Sequence, residues 1–91
     1  MLIKVLAAEG NLSSASNVDS ATVVRLYNGH SAAIVITRKD SGGTTIGSFT
    51  LGTLQSIVIE KDYSDTLTAA SNGATCKVVK VAFTISQFLN E

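Results

Sequence analysis

The sequence predicts an all-β fold, a small antiparallel β-sandwich of the Greek-key, jelly-roll or immunoglobulin-like type. Short runs rich in β-branched residues alternate with clusters of Gly, Asn, Asp and Ser along the 91 residues. These clusters recur roughly every 8–12 residues, a spacing typical of sandwiches and small barrels. No segment sustains the apolar periodicity of a helix over several turns, so an α/β arrangement is disfavoured.

About seven strands follow from this pattern, in a single domain that spans residues 1–91. The first covers residues 2–8. Residues 9–20 are rich in Gly, Asn, Ser and Asp, which predicts an exposed loop or arm and a candidate contact segment. The other strands are predicted at residues 21–28, 32–39, 44–51, 54–61, 66–70 and 76–85. Residues 86–91 form a C-terminal tail, whose Phe88-Leu89 pair either docks on a partner or closes the bottom of the sandwich.

The turns are predicted from residues that favour tight backbone reversals. Asn28-Gly29 predicts an antiparallel hairpin between its flanking strands, because Asn-Gly supplies the positive φ angles of a two-residue turn. Asn72-Gly73 repeats that signal before the longest apolar strand. Further turns are predicted at residues 40–43, 52–53 and 62–65, the second of them at a sheet corner.

Charge and composition narrow the class of function. Seven basic residues balance seven acidic ones and are scattered along the chain, so a nucleic-acid partner is disfavoured. Charged residues form 15% of the chain, below the usual quarter, which suits a surface that neighbours bury. The apolar N-terminal segment is short and interrupted by Lys4, so we predict no signal peptide, no membrane span and no export.

Structural roles are predicted for the single cysteine and the single histidine. Cys76 lies in an apolar strand and should be a small core or interface hydrophobe, with a reactive thiol or an intermolecular disulfide as the alternative. His30 lies in a predicted turn, where a solvated side chain is expected and a contact or titrating residue is the alternative.

Catalytic motifs are missing from the chain, which contains no HExxH, CxxC, GxGxxG, GxSxG or P-loop motif. Glu60, Asp62 and Asp65 surround one turn and form the one local candidate for a hard-cation site or a catalytic cleft. Carboxylates are ordinary turn residues, however, and the further ligands that a calcium loop needs are not present at set spacing. We therefore predict no enzyme activity, no catalytic residues, no metal site and no cofactor.

The aromatic residues favour core filling over a platform for bases or sugars. Phe49 and Phe83 lie in strand patterns and are predicted to point to the core. Tyr27 and Tyr63 lie at strand ends or turns, where a ring can be buried while its hydroxyl stays in water.

Four phrases of the sequence follow one another in a fixed order: VVRLYN at residues 23–28, GGTTIGSFTL at 42–51, VIEK at 58–61 and DTLTAA at 65–70. Over roughly residues 18–85 the chain resembles small virion structural proteins of tailed bacteriophages, particularly marine phages that infect cyanobacteria. The resemblance implies a capsid decoration or cement protein, or another small particle component. Its partner would be the major capsid protein or another virion protein, and its location the virion, assembled in the host cytoplasm. It implies no catalytic residues.

The residues themselves agree with a docking role. Residues 57–59 and 78–83 are apolar on both faces, as expected where neighbouring subunits cover a face or where a strand is central in its sandwich. We predict self-association or docking through a sheet edge or face, with the 9–20 loop and the termini as contact arms. A homo-oligomer is expected, and a trimer is preferred by analogy with three-fold positions on shells.

An alternative function is a small β-sandwich binding module of a tail or fibre that contacts a host-surface glycan or receptor. Tyr27, Tyr63 and His30 are the residues on which such binding would depend. An enzyme is the least favoured of the three classes.

Overall fold

The computed structural model describes residues 2–84, which form two antiparallel sheets packed face to face. This confirms the predicted small all-β sandwich. The strands are β1 (Leu2–Val5), β2 (Gly10–Asn11), β3 (Val23–Asn28), β4 (Ile34–Lys39), β5 (Thr45–Leu51), β6 (Ser56–Glu60), β7 (Thr66–Ala69) and β8 (Cys76–Thr84). A 3-10 turn, Gly73–Thr75, precedes β8. The first predicted strand, residues 2–8, is too long, because pairing stops near Leu6 and resumes as the separate strand β2.

The larger sheet has the order β1-β8-β3-β6, and β2 also pairs with β8. Since β3 occupies one edge of β8, β1 and β2 both lie along its other edge. The N–H of Leu6 donates to the C=O of Lys80 at 3.0 Å, and the N–H of Leu12 donates to the C=O of Cys76 at 2.9 Å. Residues 2–12 therefore follow β8 almost continuously, with a bulge at residues 7–9.

The smaller sheet has the order β5-β4-β7 and contains the hairpin β4–β5. Its turn depends on Asp40, whose side chain accepts the N–H groups of Gly42 and Thr44, each at 2.9 Å. Gly43 has a φ of 88°, which favours glycine. This confirms the turn predicted at residues 40–43.

Both hairpins predicted from Asn-Gly are wrong. The strands on either side of Asn28-Gly29, β3 and β4, lie in different sheets, and so do β7 and β8 on either side of Asn72-Gly73. Asn72 does adopt a positive φ of 56°, but it opens the 3-10 turn. A positive φ reverses the chain locally and does not determine which sheet the next strand enters.

Asn28 shows why the chain leaves the larger sheet after β3. Its buried side chain donates to the C=O groups of Ala32 at 2.9 Å and Leu51 at 3.0 Å, and accepts the N–H of His30 at 2.8 Å. Leu51 belongs to β5 in the opposite sheet. Because a buried amide needs such partners, these bonds hold the connection as a crossover between layers.

The core between the sheets is aliphatic, and alternate residues of β3, β4, β5 and β8 face it. Its largest fully buried apolar side chains are Leu12, Val24, Leu26, Ile34, Ile36 and Leu67. Segment 9–20, predicted as an exposed loop or arm, is anchored to this core by buried Leu12 and Val18. Ser16 exchanges backbone hydrogen bonds with Leu67 of β7 at 3.1 and 2.9 Å. The polar composition of the segment indicated its turns but not these anchors.

Candidate functional site

A two-stranded extension of the larger sheet carries a concentration of exposed apolar side chains. The pairing of β3 with β8 ends at Lys80, whereas β1 pairs with β8 from Val81 to Thr84. Residues 2–5 and 81–84, which we call the terminal ribbon, therefore continue beyond the end of β3. A two-stranded ribbon is at best marginally stable in water on its own.

The terminal ribbon exposes apolar residues on both faces. Ile3, Val5 and Phe83 share the outer face, which points away from the second sheet, because the core-facing residues of β8 are the even-numbered ones. Leu2 lies on the opposite face, and Leu6 continues that face just past the ribbon. All five are exposed, Val5 to 63%. Such a surface favours burial against another molecule.

The prediction that Phe83 points to the core is wrong. Its side chain is 46% exposed on the outer face of the ribbon, opposite Ile3. Phe83 is an odd-numbered residue of β8 and lies on the face opposite core-facing Cys76 and Val78. Residues 78–83 are mostly apolar on both faces, so their alternation did not show which face meets the core. Phe49 does pack half-buried against the core.

Polar contacts cover the outer face nearer the body of the sandwich. Arg25 Nη1 lies 3.4 Å from Glu9 Oε2, and the guanidinium carbon of Arg25 lies 6.0 Å from the ring centroid of Tyr27. Lys77 Nζ donates to Asn11 Oδ1 at 2.7 Å. Tyr27 is consequently half-buried and offers little free ring surface.

A second candidate site is an open cleft of about 540 Å³ at the turn between β6 and β7. It is lined by Thr22, Arg38, Glu60, Lys61, Asp62, Tyr63 and Ser64. Tyr63 is 66% exposed. The lining thus combines a free aromatic ring with two cationic and two anionic side chains, and its charges balance.

Asp65 anchors one side of the cleft. Its buried carboxylate accepts Arg38 Nε at 2.7 Å and the N–H of Asp62 at 3.1 Å. Burial is the largest single influence and would raise the pKa of Asp65, but these hydrogen bonds and the charges of Arg38 and Lys61 outweigh it. The pKa of Asp65 is therefore lowered, and the carboxylate stays ionised as the partner of Arg38.

Lys61 connects the same turn to the segment before β3. Its buried Nζ donates to the C=O of Ala21 at 2.7 Å and to the C=O of Asp62 at 3.2 Å. Burial lowers the pKa of Lys61, and the charge of Asp65 partly opposes this effect. The ammonium group thus has a structural role in shaping the cleft.

The three carboxylates of this turn are not arranged as a cation site. Asp65 faces inward to Arg38, whereas the side chain of Asp62 is 81% exposed and lies 3.9 Å from Arg38 Nη2. Glu60 is exposed on the cleft wall. Within residues 2–84, no group of three or more His, Cys, Asp or Glu side chains is placed to hold a metal ion. The turn predicted at residues 62–65 is confirmed, since the N–H of Asp65 donates to the C=O of Asp62 at 3.0 Å.

Cys76 lies in the core, and His30 lies in the connection that leads from β3 to β4. Cys76 is fully buried in the core, which confirms its predicted role, and burial raises the pKa of its thiol and so disfavours the reactive thiolate. His30 is half-buried in the crossover after β3, where its C=O accepts the hydroxyl of Thr53. The Phe88-Leu89 pair and the tail at 86–91 lie outside the described residues.

Sequence reasoning did not find Arg38, although the sequence contains a signal for it. Ile34, Ile36 and Arg38 are alternate residues of β4 and share its core-facing side. A cation that continues a buried face needs a buried anion nearby. Asp65, in the turn already predicted, is that anion.

No helix within residues 2–84 is long and apolar enough to cross a membrane. Comparison with known proteins finds no match for this chain among family models, curated proteins or solved structures.

Proposed function

We propose that this protein is a non-enzymatic structural component of a phage particle, a decoration or cement protein that binds and stabilises the assembled shell. The observation that carries the proposal is the terminal ribbon. Leu2 on one face and Ile3, Val5 and Phe83 on the other are exposed, whereas Val81 is buried. A groove between neighbouring shell subunits would bury more of these exposed side chains than a flat contact would. The partner is the major capsid protein or another virion protein.

The composition of the ribbon suits an interface core. Lys4 is the single charged residue among residues 2–5 and 81–84, and interface cores are depleted of charge. Phe83 supplies an aromatic anchor in a chain that contains no tryptophan. A ligand that binds only the assembled lattice stabilises that lattice by mass action. Linking several copies would raise avidity by roughly 10² to 10⁴.

Co-sedimentation with shells assembled from the major capsid protein of the same genome tests the proposal. We expect saturable binding at a fixed ratio per capsomer and a rise in the heat resistance of the shell. Replacing two outer-face residues together, Ile3→Ser and Phe83→Ser, should weaken binding by at least about 100-fold, because the variant loses the apolar anchors.

Leu54→Ser is the matched control, since Leu54 is 67% exposed on the turn between β5 and β6. It should bind like the unmodified chain. Deleting residues 86–91 shows separately whether Phe88 and Leu89 are contacts. Absence of binding by the unmodified chain, or equal binding by the double variant, would contradict the proposal.

The Tyr63 cleft favours one second candidate function, a module that binds a host-surface glycan. Sugar rings stack on exposed aromatic rings, and their hydroxyl groups pair with charged planar groups such as those of Arg38 and Asp62. The balanced charge of the lining fits a neutral saccharide better than an ion.

Glycan arrays of host-surface oligosaccharides test this second function. Tyr63→Ala should reduce binding to any recognised glycan by about 10-fold or more, because the stacking surface is lost. Tyr63→Phe keeps the ring and should retain most of the binding. Tyr27→Ala, at a ring already covered by Arg25, should have no effect. An array without any bound glycan, or equal binding by Tyr63→Ala, would exclude the cleft as a glycan site.

A further inference from the structure

The outer edge of β5 differs from the other strand edges of the sandwich. Within residues 2–84, β5 has a partner strand on one side only. Its seven residues, TIGSFTL, include no charge and no proline, the usual devices that prevent edge pairing. Each of the other edges carries a charge or a bridge: Lys4 lies in β1, Glu60 ends β6, and Ser16 forms a bridge to Leu67 of β7.

Backbone hydrogen-bonding groups of β5 at this edge have no partner in the part of the chain that the structure describes. The C=O of Val35 accepts the N–H of Ala70 at 2.9 Å, so the polar groups of Val35 point toward β7. Thr50, its partner in β5, therefore belongs to a non-hydrogen-bonded pair, and its N–H and C=O point away from β4. Ser48, two residues earlier, points the same way. Both residues are exposed.

We propose that β5 pairs antiparallel with β5 of a second copy of this chain, about a two-fold axis at Phe49. In this register the N–H of Ser48 donates to the C=O of Thr50 in the second copy, and the C=O of Ser48 accepts the N–H of that Thr50. The two three-stranded sheets then become one continuous sheet. The inference rests on the geometry of β5 and stands apart from the proposed function.

The side chains support this register. On the core-facing side of the sheet, Phe49 lies opposite Phe49 of the second copy, and Gly47 lies opposite Leu51 of the second copy. A small residue thus faces a large one, and a Cβ at Gly47 has no neighbour within 4 Å. On the outer face the hydroxyl groups of Ser48 and Thr50 are opposite each other, a favourable cross-strand pair. An axis at Ser48 would instead place the bulged Ile46 in the new ladder.

A second copy fits this edge better than an unrelated peptide. The partner strand must be uncharged, with hydroxyl groups on one face and apolar groups on the other, and β5 itself has that pattern. No like charges meet across the axis, since the strand contains none. The paired segment is short, so the dimer should form at high protein concentration.

Light scattering and amide hydrogen exchange over a concentration series test the pairing. We expect the mass to rise from the 9.5 kDa of one chain toward twice that value. In parallel, exchange at the N–H groups of Ser48 and Thr50 should slow by at least about 10-fold. Those of Gly47 and Phe49 point toward β4 and should be protected at every concentration.

Ser48→Lys places an ammonium group at the pairing edge and should raise the dissociation constant by at least about 10-fold. Thr68→Lys makes the matching change on β7, the protected edge of the same sheet, and should dimerise normally. A mass that stays at one chain or reaches three would overturn the inference. So would protection of Ser48 and Thr50 that does not depend on concentration, or undiminished association of Ser48→Lys.

Discussion

Three buried polar residues hold connections that an apolar core alone would leave free. Asn28 joins the end of β3 to β5, Asp65 joins the β6–β7 turn to β4, and Lys61 joins that turn to the segment before β3. The side chain of each one forms hydrogen bonds with backbone groups or with an opposite charge, as buried polar groups require. In this small sandwich, polar side chains specify the crossovers that aliphatic packing does not.

Asp65 should make the fold sensitive to acid. Because its folded pKa is lowered, its stabilising effect is complete above the ordinary carboxyl pKa of 3.8 and is lost as the pH falls through the lowered value. Asp65→Asn should unfold more easily at neutral pH, since Arg38 and Lys61 lose their buried counter-charge. Its stability should also depend less on pH in the acid range. Urea unfolding at several pH values between about 7 and 2 measures both effects.

Asp62→Asn is the control for that experiment, because the Asp62 side chain is largely exposed. It should keep the acid dependence of the unmodified chain. The interpretation of Asp65 would be wrong if Asp65→Asn retained the full acid dependence.

At the scale of elements, the 3-10 turn before β8 packs closely on the segment after β2. A Cβ built on Gly73 would clash with the backbone carbonyl group of Leu12 and crowd Ser13. Neither obstacle is the flexible end of a side chain, so the backbone itself would have to move. This contact holds the anchored part of the 9–20 segment against the β7–β8 crossover.

Gly73→Ala should therefore destabilise the protein by about 1–3 kcal/mol, the usual range for overpacking. The free energy of unfolding from urea titration measures the effect. Gly10→Ala is the matched control in β2, where an added Cβ meets nothing within 4 Å, and it should be close to neutral. Equal stability of the two variants would show that the turn is not held by this contact.

The sequence predicted individual strands better than their connections. The strand predicted at residues 44–51 matches β5, Thr45–Leu51, with Ile46 exposed and Leu51 buried on the opposite face. The corner predicted at residues 52–53 does lead from one sheet to the other. Strand periodicity is a local property and can be read from neighbouring residues, whereas sheet membership depends on partners such as Leu51 for Asn28, far away in sequence.

At the scale of the whole molecule, the two candidate sites differ in how far the sequence indicated them. The cleft lies at a turn whose polar residues Glu60, Asp62 and Tyr63 are neighbours in sequence, so the local sequence could indicate it. The local sequence could not indicate the terminal ribbon. Its exposure depends on β3 pairing with β8 only as far as Lys80, and on the outer face pointing away from the second sheet. The sequence of β8 does not show how far a neighbouring strand extends.

Leu2 and Thr84 are paired in the ribbon, so within the described residues β1 pairs with the strand that lies farthest from it in sequence, β8. During synthesis on the ribosome, β1 therefore has no partner among the described strands until β8 has been made. A chain that stopped before residue 81 would lack half of the ribbon. The terminal ribbon is therefore one of the last parts of the described fold that can form, because its two strands lie at opposite ends of the described residues.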